Sequence, residues 1–154
     1  MTTFNNTTAG MADAGRGGTK STARYFPATA RVLMGLVFFV FGLNGFLHFI
    51  PQPATLPNQV ADYMGALLRT GYMLPLIMGT QLVVGVLLLV NRFVPLALLL
   101  IAPVIVNIIG FHIFLNLSGI VPGAIVAVLE VYLIRSYWSA FRAIFIARAT
   151  PDAK

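Results

Sequence analysis

Four apolar runs dominate the chain, and the residues that interrupt them mark where each begins and ends. The first covers residues 28–50, led in by Pro27 and stopped by Pro51. Proline fits the first turn of a helix, where its missing N–H is not needed, and ends one further along. The second run covers 72–90, with Pro75 in its first turn. The third covers 93–117, with Pro95 in its first turn and Pro103 inside, where a local kink is expected. The fourth starts at Ser118, read as an N-cap, and its apolar stretch lasts to about Ile134. It reaches residue 138 only by continuing through Tyr137 and Trp138, whose rings suit a membrane interface. Runs of roughly 20 apolar residues match the hydrocarbon layer of a bilayer. The pattern therefore predicts an all-α integral membrane protein.

The connections set the arrangement of these helices. Asn91-Arg92 and residues 116–119 are too short for anything but hairpins, which predicts an antiparallel four-helix bundle. The connection 51–71 is longer and carries its own period. Val60, Tyr63, Met64, Leu67 and Gly71 recur at helical spacing, with Asp62 and Arg69 off that stripe. It reads as a short amphipathic helix, resting on the membrane surface or capping the bundle on the extracytoplasmic side.

Composition strengthens the membrane reading and charge orients it. Hydrophobic residues make up 58% of the chain and charged residues 9%, against about 25% charged in a soluble domain. Arg16, Lys20, Arg24, Arg31, Arg92, Arg135, Arg142, Arg148 and Lys154 lie on one side of the predicted spans, and Arg69 alone on the other. The positive-inside bias places both termini and the 91–92 turn in the cytoplasm. Basic residues at the ends of apolar runs contact lipid headgroups; they form no stripe of the kind that binds nucleic acid, so no nucleic-acid partner is expected. Residues 1–26, rich in Thr, Asn, Ala and Gly, read as a disordered cytoplasmic tail, and 143–154 as a basic cytoplasmic tail. Arg135, Trp138, Arg142, Phe145 and Arg148 suggest an amphipathic extension along the inner leaflet. The absence of cysteine excludes disulfide and thiol chemistry within the chain.

Polar residues inside the runs are the candidate site, since each needs a partner in lipid. They are Asn44, His48, Gln81, Asn107, His112, Asn116 and Glu130. Asn44 and His48 are four apart and share a helical face, as do His112 and Asn116. Asn107 lies well round its helix from His112. Glu130 shares a face with Gly123 and Ala127, about 15 Å from the outer end of its helix. Amides at such positions are satisfied by ordinary hydrogen bonds between helices. A carboxylate there costs about 2.5 kcal/mol or more, so Glu130 is expected to be protonated or held by a His or Arg. Arg135, five residues on, is awkwardly placed for it. Two His and a carboxylate can ligate a metal, but Glu130 lies deeper than either His, and haem would need the two rings to face each other across an opened bundle. Neither is expected. The histidines and amides are left to hydrogen-bond each other or a polar ligand.

Three stretches carry a family resemblance: residues 30–49 (ARVLMGLVFFVFGLNGFLHF), 93–119 (FVPLALLLIAPVIVNIIGFHIFLNLSG) and 129–141 (LEVYLIRSYWSAF). With 79–90 they resemble the DoxX family of small bacterial four-helix membrane proteins, over about residues 28–142. The resemblance implies a bacterial inner membrane and a membrane subunit or accessory of a redox system near the quinone pool. It also implies a redox protein partner, with His48, His112 and Asn44 toward a quinone-like head group; a homo-oligomer is the alternative partner. Many members carry Glu where this chain has Gln81, so the implied site has one ionisable group fewer. The residues themselves carry no catalytic signature. A small proton-coupled permease using the polar residues as a path, and a non-catalytic assembly or scaffold protein, are the competing readings.

Overall fold

In the computed structural model, residues 25–51, 55–142 and 144–146 are described. The two expected tails lie outside them apart from Tyr25, Phe26 and residues 144–146. Six helices follow in order: α1 (Tyr25–Leu47), α2 (Asn58–Arg69), α3 (Met73–Leu89), α4 (Val94–Phe114), α5 (Ile120–Ser136) and the short α6 (Trp138–Phe141). A 3₁₀ turn, Leu117–Gly119, precedes α5. No strand occurs among the described residues. Three stretches, α1, α4 and Leu117–Ser136, are long and apolar enough to cross a membrane. A fourth is added if α2 and α3, which meet at a 90° bend, count as one span.

The helices stop where backbone groups find other partners, not where hydrophobicity ends. The expected 28–50 helix closes at Leu47. His48 adopts φ 53°, its N–H donates to the Asn44 carbonyl at 2.8 Å, and the Ile50 N–H donates to Asn44 Oδ1 at 2.7 Å. The expected 93–117 helix closes at Phe114. The N–H groups of Leu115 and Asn116 both turn back to the Phe111 carbonyl, and the Asn116 backbone is extended. Asn116 Oδ1 then accepts from the Ser118 N–H at 3.3 Å and its hydroxyl at 2.7 Å. Ser118 is therefore a donor to a cap rather than the cap of the next helix, whose N-cap is Gly119. The last apolar run does not continue unbroken to 138: α5 ends at Ser136, and Tyr137 separates it from α6. α4 runs through Pro103 as one helix. The amphipathic segment forms a helix, but it ends at Arg69, and Gly71, expected on its stripe, is an exposed turn residue at φ 75°. Val60 is buried and Tyr63, Met64 and Leu67 are half-buried, while Asp62 and Arg69 are exposed.

α1 packs most closely on α3, α3 also on α4, α4 on α5, and α5 back on α1. Glycine sets the closest approach. A Cβ on Gly85 would strike the backbone of Phe39, and one on Gly42 would lie 2.5 Å from the Leu82 nitrogen. Only a residue without a side chain permits such contact. The densest packing lies toward the 91–92 turn, where Met34, Leu88, Leu98, Ile101 and Leu133 are fully enclosed. Arg31, counted in the charge asymmetry, is also buried there. Its guanidinium donates to the carbonyl of Leu88, with that of Leu89 at 3.5 Å. The outer surface is apolar: Phe41, Leu76, Val106, Ile125, Val128 and Val131 are all more than half exposed. An aqueous surface would not carry them in such density.

Candidate functional site

Above the dense core, toward α2, the packing loosens into two adjoining cavities. The first, of about 340 Å³, lies among α1, α3, α4 and α5 and is lined by Phe38, Phe41, Asn44, Gln81, His112 and Gly123 among others. The second, of about 410 Å³, lies beneath α2, with Met64, Leu67, Met73, Leu74 and Phe111 in its wall. Met78, Gln81, Ile108 and His112 line both. Each volume falls in the range of small-molecule sites, roughly 300–1,000 Å³.

Gln81 stands at the junction. It is 7% exposed, and its amide has no hydrogen-bond partner among the described residues. Yet its polar atoms are not sealed into the protein as the Glu130 oxygens are. A buried amide normally finds a protein partner; this one opens onto cavity space. Asn44 contributes a donor to the first cavity. Its oxygen is taken by the Ile50 N–H, which leaves the side-chain NH₂ free. His112 contributes an acceptor. Its Nδ1 lies 2.9 Å from the Asn116 carbonyl oxygen, so Nδ1 must carry the proton in the neutral ring and Nε2 is left as the acceptor. The chamber thus combines amide donors, an imidazole acceptor and an apolar wall.

The predicted residues separate into those gathered here and those used elsewhere. Asn44, Gln81 and His112 meet at the first cavity. His48 does not join them. Its positive φ follows the end of α1, its side chain is exposed, and it no longer shares a face with Asn44. Asn116 leaves the helix as well, so it meets His112 through its carbonyl while its side chain caps the 3₁₀ turn. Asn107 faces α2, where Tyr63 donates to its Oδ1 at 3.0 Å. Glu130 lies one helical turn beyond Val126 in the cavity wall, about 6 Å by helical rise. It is 5% exposed, and among the described residues neither carboxyl oxygen has a partner and no His or Arg holds it. No three His, Asp or Glu side chains converge among the described residues.

The sequence pattern concealed two contributors to the site, and it also hid that Arg31, read as an orientation signal, bonds the end of α3 away from the cavities. Tyr63 resembled part of an amphipathic stripe. Gly119 resembled a turn residue, yet a Cβ there would run into the His112 ring. Its position three residues beyond Asn116, in the loop that accepts the His112 proton, was the available signal. Gly119→Ala is expected to push the imidazole from its place and weaken the bond to the Asn116 carbonyl. The change should appear as an altered His112 side-chain NMR signal with the helical content intact; an unmoved signal would show that the glycine does not position the ring.

Against known proteins, no family model, no curated protein and no solved structure matches the chain.

Proposed function

We propose that this chain is an antiparallel four-helix membrane bundle of a bacterial inner membrane, with cytoplasmic termini and α2 on the extracytoplasmic side. In this reading it serves as a DoxX-like membrane subunit or accessory of a redox system near the quinone pool, and the first cavity holds a quinone-type head group. The orientation rests on the distribution of basic residues. The antiparallel order is supported by the helix contacts: Gly35 meets Leu88, and Gly42 meets Leu82.

The observation that carries the functional reading is Gln81, a nine-tenths-buried amide with no hydrogen-bond partner among the described residues, which lines the same cavity as Asn44 and His112. A quinone offers carbonyl acceptors to the two amide donors. Its reduced form offers hydroxyl donors to the His112 Nε2 and the Gln81 oxygen. One site thus serves both states. The enclosed core beneath it, with Met34, Val84 and Leu98 fully buried, favours a chamber over a through-path of the kind a permease needs.

The test is binding of a chain-free benzoquinone or naphthoquinone to the full chain in nanodiscs. Gln81→Leu and His112→Phe are each expected to weaken binding about tenfold, the equivalent of one buried hydrogen bond of roughly 1.4 kcal/mol. No saturable binding to the unaltered protein, or equal affinity in all three, would overturn the reading.

A further inference from the structure

We infer that the second cavity, roofed by α2, is the seat of a long apolar chain, so that one amphipathic molecule occupies both chambers, head in the first and chain in the second. The inference rests on the quinone-class reading of the first cavity and extends it to the ligand's other half.

Three observations carry it. First, the chambers adjoin, sharing Met78, Gln81, Ile108 and His112. Met78 is an unbranched, flexible side chain, and such a group can turn aside where a branched one would be held by its χ1 preference. Second, the chambers differ in chemistry. The polar groups proper to the second are Tyr63 and Asn107, and these bond to each other at 3.0 Å. Gln81 and His112 stand at the boundary, and the rest of the wall is Met64, Leu67, Met73, Leu74, Ile77 and Phe111 with their neighbours. The three methionines of this wall, Met64, Met73 and Met78, are flexible and accommodate a chain whose shape is not fixed. Third, the roof is separately attached. α2 meets α3 at 90° through Gly71 at φ 75°, with Val60 buried and the Tyr63 ring 5.4 Å from that of Phe111. This places an amphipathic helix over an apolar space that the other helices leave unfilled. A chain there would complete the apolar contacts of that space.

Adjacent residues of α2 supply the experiment. Leu67 lines the cavity, whereas Leu68 is 64% exposed. Binding of one quinone is measured without a side chain and with a ten-carbon chain, in nanodiscs of the same lipid. Chain partitioning into the bilayer is then common to every variant and cancels in the comparison. In the unaltered protein and in Leu68→Trp, the chain should tighten binding tenfold or more. In Leu67→Trp, whose indole fills the space, that gain should fall below threefold, with chain-free affinity unchanged. Met64→Phe, a milder filling, should give an intermediate gain and covers the case in which Leu67→Trp does not fold. Equal gains in all folded variants would overturn the inference while leaving the head-group site standing. Absence of chain-free binding in the unaltered protein would overturn the head-group reading itself. A phospholipid that co-purifies with the unaltered protein and Leu68→Trp but not with Leu67→Trp, with no gain from the quinone chain, would assign the cavity to a lipid and overturn the inference.

Discussion

Gly85→Leu is expected to leave little folded protein, at a cost of about 3 kcal/mol or more. The reason is the identity of the obstructing atoms. A Cβ at Gly85 meets the Phe39 nitrogen and Cα, which belong to the backbone of α1 and have no rotamer to escape into. α1 and α3 would have to separate along their length, and their contact is the most extensive among the described helices. Gly42, facing the Leu82 backbone from the other helix, should behave in the same way. Gly79, on the same helix as Gly85, has nothing within 4 Å of its would-be Cβ. Gly79→Ala should therefore be neutral, or stabilising by up to about 1 kcal/mol through helix propensity. Unfolding in mixed micelles, followed by near-ultraviolet circular dichroism, compares the three. Similar losses at Gly85 and Gly79 would show that the two helices do not meet at Gly85.

The second large effect concerns Glu130 and Arg31, which are buried alike and expected to respond with opposite signs. Glu130→Leu removes two oxygens that have no hydrogen-bond partner among the described residues, so stability should rise by about 1–3 kcal/mol. Glu130→Gln retains two polar atoms in the same surroundings and should gain less. Arg31→Leu takes away a guanidinium whose hydrogen bonds go to the carbonyls at the end of α3, and should lose about 1–2 kcal/mol. No ion pair joins the two among the described residues, so the double variant should be additive to within about 0.5 kcal/mol. A coupling above about 1 kcal/mol, or destabilisation by Glu130→Leu, would mean that the carboxyl is held by Arg31 after all.

The helices themselves were legible because their signal is local and redundant. Apolar runs bounded by Pro27, Pro75 and Pro95 name their helices to within a few residues, and the stripe from Val60 to Leu67 predicts α2 and its buried side. The ends were less legible. At Phe49, Ile50, Leu115 and Leu117 hydrophobicity continues while the backbone has already turned, since a helix end is decided by where N–H and C=O groups find other partners. Asn44 and Asn116 illustrate the consequence for the site. An asparagine that caps a terminus and one that faces a cavity look identical in a sequence; Asn116 is the first kind, and Asn44 does both through its two ends.

What the sequence determined alone was the helical class, the apolar surface that makes helices fit to cross a membrane, and the roster of polar residues inside them. These follow from side-chain chemistry and period, which no neighbour can alter. Only the tertiary structure decided which members of the roster meet. One positive φ sends His48 outward, a glycine at 119 makes room for the His112 ring, and the Gly85 contact brings α3 close enough to set Gln81 beside Asn44. A cavity is a property of gaps between elements, and gaps arise from how helices pack rather than from any residue that lines them.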